Sequence, residues 1–408
     1  MIVNRIFKLL LAIIICLGVV SGCFGRPGDN LPQPTPEPAE ETPEPTSTPA
    51  PVLTPVPIPV NLVEYNGNPE HLFFHEVIAY PELAFPNRRD PHNLDDYMLT
   101  VHEFNKVLEN LHRKNYVLVS MHDVWEEFTN AEGQLRMRRK DPFMVPEGKK
   151  PIVLSFDDLT FHLEPVNAFM HRYIIGPDGE VWAEGIDPNG NPIVTQDLTA
   201  ITILDKFIRE NPDFSHNGAK GCIAQTGLHG ILGYKTQSNR DNNSEEFRMN
   251  RRMEIRRAEP VIKRLNETGW YWASHSWAHL RFERSSLERI KTDAERWNDE
   301  VASLVGETVI MIYGHGSRLD GDDFSATSGP ALRFYVNDLG FRMFASVGRE
   351  NFVRVRGDLP AVVMDRMAVD GITLRSVQSR SAYERHLKFY SARDVFDPLR
   401  PDGETNWG

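Results

Sequence analysis

Apolar residues along this chain fall into short runs separated by amphipathic stretches. Eight runs favour β structure: Leu72-Phe73-Phe74, Tyr116 to Val119, Pro151 to Phe156, Gly221 to Gln225, Trp270 to Ser274, Thr308 to Tyr313, Met343 to Val347 and Ala361 to Met364. Helical periodicity lies between most of them. Thr100 and Glu103 form a capping box, after which Val101, Phe104, Leu108 and Leu111 share one face. Ile201, Leu204, Phe207 and Ile208 make a second stripe that stops near Asn211-Pro212. Further helices are expected over Ile255 to Thr268 despite Pro260, Leu287 to Val305, and Pro330 to Leu339. Strand–helix alternation at this length predicts an α/β fold with a mostly parallel sheet, either open and doubly wound or closed as a barrel. Gly176 to Gln196 and Gln237 to Glu246 read as surface insertions. There is no internal repeat.

The first 60 residues break this pattern. Arg5 and Lys8 precede the apolar run Leu9 to Val20, which is too short to span a membrane comfortably as a permanent helix. Val20-Ser21-Gly22-Cys23 comes next, and the order of charge, apolar run, small residues and cysteine resembles a bacterial lipoprotein signal. That resemblance implies removal of residues 1–22, a lipid on Cys23 and a membrane anchor without a spanning helix. Residues 27–60 hold 12 prolines in 34 positions, interleaved with Glu, Thr and Ser. Residues 23–60 therefore read as a disordered spacer, reaching about 100 Å at about 3.1 Å per residue. The expected placement is the extracytoplasmic face of the membrane, with the folded part, residues 61–400, reaching into the wall.

Composition narrows the class. The chain has 408 residues, a net charge of −12, and is 40% hydrophobic and 25% charged. An acidic balance argues against a nucleic-acid partner. Three cysteines, Cys16, Cys23 and Cys222, exclude a disulfide scaffold.

Polar residues gather where strands end. Pro151 to Phe156 runs into Asp157-Asp158, Trp270 to Ser274 into His275 with His279 four residues on, Thr308 to Tyr313 into Gly314-His315-Gly316-Ser317-Arg318, and Ala361 to Met364 into Asp365-Arg366. In parallel α/β folds, active sites form at the carboxyl ends of strands. Alone, Asp157-Asp158 would read mostly as a helix N-cap pair, and its position after an apolar run is what shifts the reading toward a site. On a helical turn His275 and His279 would share one face and meet one cation, although two unrelated histidines fit the spacing as well. Asp158, His275 and His279 together make three ligands with positions left open, the form of a hydrolytic site for a divalent metal, Zn²⁺ first by donor type.

Ser155-Phe156-Asp157-Asp158 and His275-Ser276-Trp277-Ala278-His279 resemble the first two motifs of the polysaccharide deacetylases (carbohydrate esterase family 4, the NodB homology domain). Tyr313 to Arg318 occupies the place of the third, and Asp205 to Thr236 looks like an insert of Gram-positive members. The resemblance implies a distorted (β/α)7-type barrel that removes acetyl groups from a polysaccharide. It makes Asp157 the general base and Asp158, His275 and His279 the metal ligands.

Three features depart from the family: the third motif lacks proline, Leu159 stands where glycine is usual, and no Leu-x-His supplies a general acid. His315 is the better substitute acid, or equally a metal neighbour or a structural turn residue, and His386 reads as a solvated surface residue. Arg318 and Arg366 are candidate partners for Asp157, with Asp365 beside them. His75 ends an apolar run and reads as a satisfied strand-end residue. Trp270, Tyr271, Trp272 and Trp277 are offered as sugar platforms or core. His162, His216 and His229 carry no assignment. Peptidoglycan is the nearest polymer to a tethered enzyme, with chitin-like oligomers, acetylated xylan and poly-N-acetylglucosamine as alternatives. A non-catalytic glycan-binding lipoprotein on the same scaffold, or a metallohydrolase acting on cyclic amides, are the competing readings.

Overall fold

The computed structural model describes residues 61–401 apart from 92, 160–166, 240, 320–326 and 380. Cys16, Cys23, the leader, the Pro-rich segment and His162 lie outside the described residues.

All eight apolar runs form strands: β1 (Glu70–Phe74), β2 (Tyr116–Leu118), β3 (Lys150–Asp157), β4 (Gly221–Gln225), β5 (Tyr271–Ser274), β6 (Ile310–Ile312), β7 (Met343–Val347) and β8 (Val362–Ala368). They pair in parallel in the order β4-β5-β6-β7-β8-β1-β3, and β3 pairs again with β4 to close a seven-stranded barrel. β2 fits beside the start of β3, opposite Lys150 to Ile152, below the point where β4 takes over. This is the distorted (β/α)7-type barrel that the motifs imply.

Helices cover the barrel. They are α1 (Val101–Arg113), α2 (Ala200–Glu210), α3 (Glu245–Glu267), α4 (Leu287–Trp297), which runs through a π-turn at Asn298–Ala302, and α5 (Pro330–Asn337). The capping box at Thr100 and Glu103 is present in full. Between β7 and β8 the chain makes an antiparallel strand, Val353–Val355, instead of a helix. The Asp205 to Thr236 stretch is part of the barrel, since it contains β4.

Two expectations are corrected. Residues 176–196 are not a loop: Arg172–Ile175, Val181–Ile186 and Pro192–Thr195 form an antiparallel sheet. Gly179 and Gly190 occupy its turns at positive φ, while Val181 and Ala183 pack into the core. Helix α3 begins at Glu245, ten residues before its apolar stripe, capped by the Ser244 hydroxyl. Its first half escaped the periodicity because it buries little. Within the helix only Ala258, Val261, Ile262 and Leu265 are buried.

Strand periodicity decides what the barrel encloses. On β3, Ile152, Leu154 and Phe156 face the helices, where Phe156 stacks on Phe74 and meets Phe104 and Trp270. The alternate positions Val153, Ser155 and Asp157 face inward, as do His71 and Phe73 on β1 and Val362, Met364 and Arg366 on β8. The lower interior is apolar, filled by Val153, Cys222, Ala273, Ile312 and Met343. The inward positions become polar toward the carboxyl ends of the strands.

Candidate metal centre and active site

Asp157 ends β3 inside the barrel, and the chain turns sharply at the next residue. Asp158 takes φ +57°, which brings its carboxylate back toward the same point. Thr226, just past β4, donates its hydroxyl to Asp158 Oδ1 at 3.2 Å. The other oxygen, Oδ2, stands 3.9 Å from His275 Nε2 and 3.4 Å from His279 Nε2. His275 Nε2 is also 3.8 Å from Asp157 Oδ2.

The two histidines do not share a helical turn, contrary to the expectation from their spacing. Residues 275–279 form a loop in which Ser276 and His279 both adopt positive φ. Asp293 on α4 accepts hydrogen bonds from the Trp277 and Ala278 amides at 2.7 and 2.8 Å, and the Ser276 hydroxyl accepts from the Leu280 amide at 2.7 Å. Side chains therefore satisfy amides that a helix would satisfy with its own carbonyls. The imidazoles still converge, with ring centroids 4.8 Å apart.

Charge and protonation suit a cation. His275 Nδ1 donates to the Ile312 carbonyl at 2.7 Å, which leaves Nε2 unprotonated and aimed at Asp158. Burial and the neighbouring His275 hold His279 down to about 4, so it is neutral near pH 7. Burial pushes the Asp158 carboxyl up, and the polar surroundings of the two imidazoles, His275 first, pull it down by more, so it lies below the usual carboxylate value. One ligand atom from each of Asp158, His275 and His279 lies within 4.8 Å of the others, the one such group among the described residues. Tetrahedral zinc ligands at about 2.1 Å from the ion stand about 3.4 Å apart. The donor set therefore fits one divalent ion with open positions.

Asp157 is held by Arg366, the buried arginine of β8, whose two Nη atoms reach its carboxylate oxygens at 2.7 and 2.9 Å. Burial raises the carboxyl's proton affinity, and the guanidinium more than reverses this, leaving Asp157 well below the usual carboxylate range. Arg366 also donates to Ser155 Oγ at 3.0 Å and lies 4.2 Å over the Phe73 ring. His71 Nε2 meets the same Ser155 hydroxyl at 3.0 Å. Burial first, then the Arg366 charge, keep His71 neutral. Neither His71 nor the Phe73 contact is legible in the sequence, because their barrel-facing register becomes visible only once β1 and β8 are neighbours.

The remaining candidates separate. Arg318 pairs with Asp365 and not with Asp157. His315 lies against His279, with ring centroids 4.1 Å apart, and burial together with Arg281 lowers its proton affinity. His386 is not solvated. It is 3% exposed, and its Nε2 lies 2.9 Å from the Ala368 carbonyl at the end of β8. His75 directly follows β1 and lies within electrostatic reach of Asp157, Asp158 and Asp370. The aromatic residues are structural. Trp270 donates to Asp205, Trp272 to Asn266 and Trp277 to Glu300, and the Tyr271 hydroxyl accepts from the Met121 amide.

Residues 239–322 match the polysaccharide deacetylase family model. The match spans His275, His279, His315 and Arg318, and the barrel brings Asp157 and Asp158 to it. No curated protein matches the chain. Among solved structures it is similar to the deacetylase PplD of Streptococcus pyogenes in complex with acetate, at 14% identity over 74% of this chain and 92% of that one, TM-score 0.40. It is also similar to the polysaccharide deacetylase BC0361 of Bacillus cereus, at 12% identity over 78% and 68%, TM-score 0.40. A third is IcaB of Ammonifex degensii, at 11% identity over 79% and 96%, TM-score 0.35.

Proposed function

We propose that this chain, which carries a polysaccharide deacetylase domain and is by that family a carbohydrate deacetylase, removes N-acetyl groups from an envelope glycan, peptidoglycan first, by metal-assisted hydrolysis. The observation that carries the reading is the meeting of Asp157, Asp158, His275 and His279 at the mouth of the barrel, with Arg366 holding the spare aspartate ionised.

Asp158, His275 and His279 would hold the ion, Zn²⁺ by donor type, which supplies Lewis acidity to a water and to the acetamide carbonyl when bound. Asp157 orients that water and accepts its proton. Arg366 makes Asp157 a weak base, which serves only a strongly acidified water, so the base and the cation depend on each other. The departing amine must be protonated. His315 is the candidate by sequence position, but burial and Arg281 favour its neutral form. His75, among the site carboxylates, is assigned as donor, and His315 lines the cleft against His279. Lipid on Cys23 and the Pro-rich segment would keep the enzyme on the outer face of the membrane.

The test is acetate release from peptidoglycan and N-acetylglucosamine oligomers, with metal content measured on the same samples. Asp157→Asn should retain about one divalent ion and lose turnover by about 10²-fold or more. His275→Ala with His279→Ala should lose both. Bound metal with no acetate release from any acetylated glycan would favour the binding-protein reading.

A further inference from the structure

We propose that a cavity flanked by the segments that follow β3 and β4 binds an anionic stretch of polymer, recognising phosphate or carboxylate groups set along a glycan. The cavity is about 670 Å³ and is lined by His171, Arg172, Lys235, Asn250 and Arg251, with Phe247 at one side. Glu254 is the one acid in the lining, and it already serves the Lys235 amide at 3.1 Å and Arg257 at 3.2 Å, while Arg172 is paired with Glu184 at 3.0 Å and Glu254 at 3.9 Å.

Topology places this cavity on the catalytic side of the barrel. One wall, Asn167 to Arg172, belongs to the segment leaving β3, the strand that delivers Asp157 and Asp158. The other, Gly233 and Lys235, belongs to the loop leaving β4, which begins at Thr226, the hydrogen-bond partner of Asp158. In that loop the Gly227 and Leu228 amides both donate to the carbonyl of Trp277, between the two ligand histidines. Gly233 has φ +90°, and a Cβ there would meet the His171 carbonyl at 2.3 Å, so the two walls touch at a position that requires glycine.

The charge is segregated, not average. The chain as a whole is −12, yet residues 245–257 of α3 carry five arginines, Arg248, Arg251, Arg252, Arg256 and Arg257, against three acids, Glu245, Glu246 and Glu254. Arg251 uses Nε on the Thr236 carbonyl at 2.6 Å and has no carboxylate partner among the described residues. Arg252 and Arg256 are exposed and likewise have no acid partner among the described residues. Exposed Met249 and Met253 stand on the same half-helix. A helix half that buries little, rich in arginine and next to a concave basic site, is suited to charge-assisted bonds with a polyanion. A long polymer held there would pass onto the rim where the metal ligands meet. The binding claim stands apart from the hydrolytic reading, and only the claim that the bound polymer is also the substrate rests on it.

The experiment measures equilibrium binding by the full chain at about 0.15 M salt. The probes are a hyaluronan oligomer (carboxylate), a poly(glycerol phosphate) (phosphate), a neutral chitin oligomer and vesicles of phosphatidylglycerol. One or both soluble polyanions should bind more tightly than chitin, and which one binds identifies the group recognised. Lys235→Gln with Arg251→Gln should cut that preference about tenfold, with melting temperature and metal content kept. Arg252→Gln with Arg256→Gln is the second variant should the first fail to fold. Equal affinity for charged and neutral oligomers, variants that bind like the parent, or binding to the vesicles alone would overturn the proposal. Polyanion binding with no acetate release from any glycan would support the site and overturn the deacetylase reading instead.

Discussion

Strain collects at the candidate metal centre residue by residue. Outside asparagine, the non-glycine residues with positive φ among those described are Asp158, Leu232, Ser276, His279 and His315. Four of these five belong to the site, and such conformations cost about 1–3 kcal/mol each unless the surroundings fix them. Gly314 is part of that fixing: a Cβ there would lie 2.8 Å from His279 Cδ2. Gly314→Ala should therefore push the His279 ring off its position and weaken metal affinity about 10- to 100-fold with the fold retained, measured by competition with a chelator. The proton donor is separable in the same way. His75→Ala should lower kcat about 10²-fold with metal content kept, whereas His315→Ala should keep kcat and alter KM. A His315→Ala variant that loses kcat by the same factor would return the role to His315. Sequence carried the four central side chains because they lie at strand ends or within five residues beyond them. It did not carry the supports Thr226, Asp293 and the Ile312 carbonyl, since a lone threonine, a helix aspartate or a backbone oxygen has no signature until the chain folds.

At the scale of elements, α4 and its π-turn brace the histidine loop. Asp293 holds the Trp277 and Ala278 amides, and further along Glu300 accepts from Trp277 Nε1 at 3.0 Å, Arg296 Nε at 2.9 Å, and both the amide and hydroxyl of Ser238. Arg296 also covers the Trp277 ring at 3.2 Å. Burial pushes the Glu300 carboxyl up, but the bonds from Ser238 and Arg296 outweigh it, so its folded value lies below the ordinary 4.5. A depressed carboxyl stabilises the fold fully above the unfolded value and loses that contribution as pH falls through the folded one. Glu300→Gln should thus cost about 1–3 kcal/mol at pH 7, a gap that narrows below pH 4.5 in denaturant titrations. A gap independent of pH would mean that shape, not charge, carries the brace. Strands and helix stripes were legible because burial imposes a period of 2 or 3.6 on apolar residues. The first half of α3 and the 172–195 sheet were not, because the one has no buried face and the other is written mainly in turn residues. Why His275 and His279 meet without a helix was equally hidden, since i, i+4 spacing says nothing about which groups satisfy the intervening amides.

At the scale of the whole molecule, the folded part is locked to its own C-terminal end. Arg400, fully buried, makes a two-point pair with Glu103 at 2.6 and 2.7 Å and reaches Asp95 at 2.7 Å, while Thr100 donates to Asp397. Residues 95 to 400 thus close on one another around the barrel. No helix among the described residues is long and apolar enough to cross a membrane. On the lipoprotein reading of the leader, attachment then comes from Cys23 and its acyl chains. Two chains hold a protein stably on a bilayer where one gives marginal, reversible binding. Cys23→Ser expressed in a bacterial host should move from the membrane pellet to the soluble extracytoplasmic fraction and keep the parent's acetate release on soluble oligomers. On intact walls its activity should fall, because release removes the local concentration that tethering supplies. A Cys23→Ser protein that still sediments with membranes would assign attachment to another part of the chain.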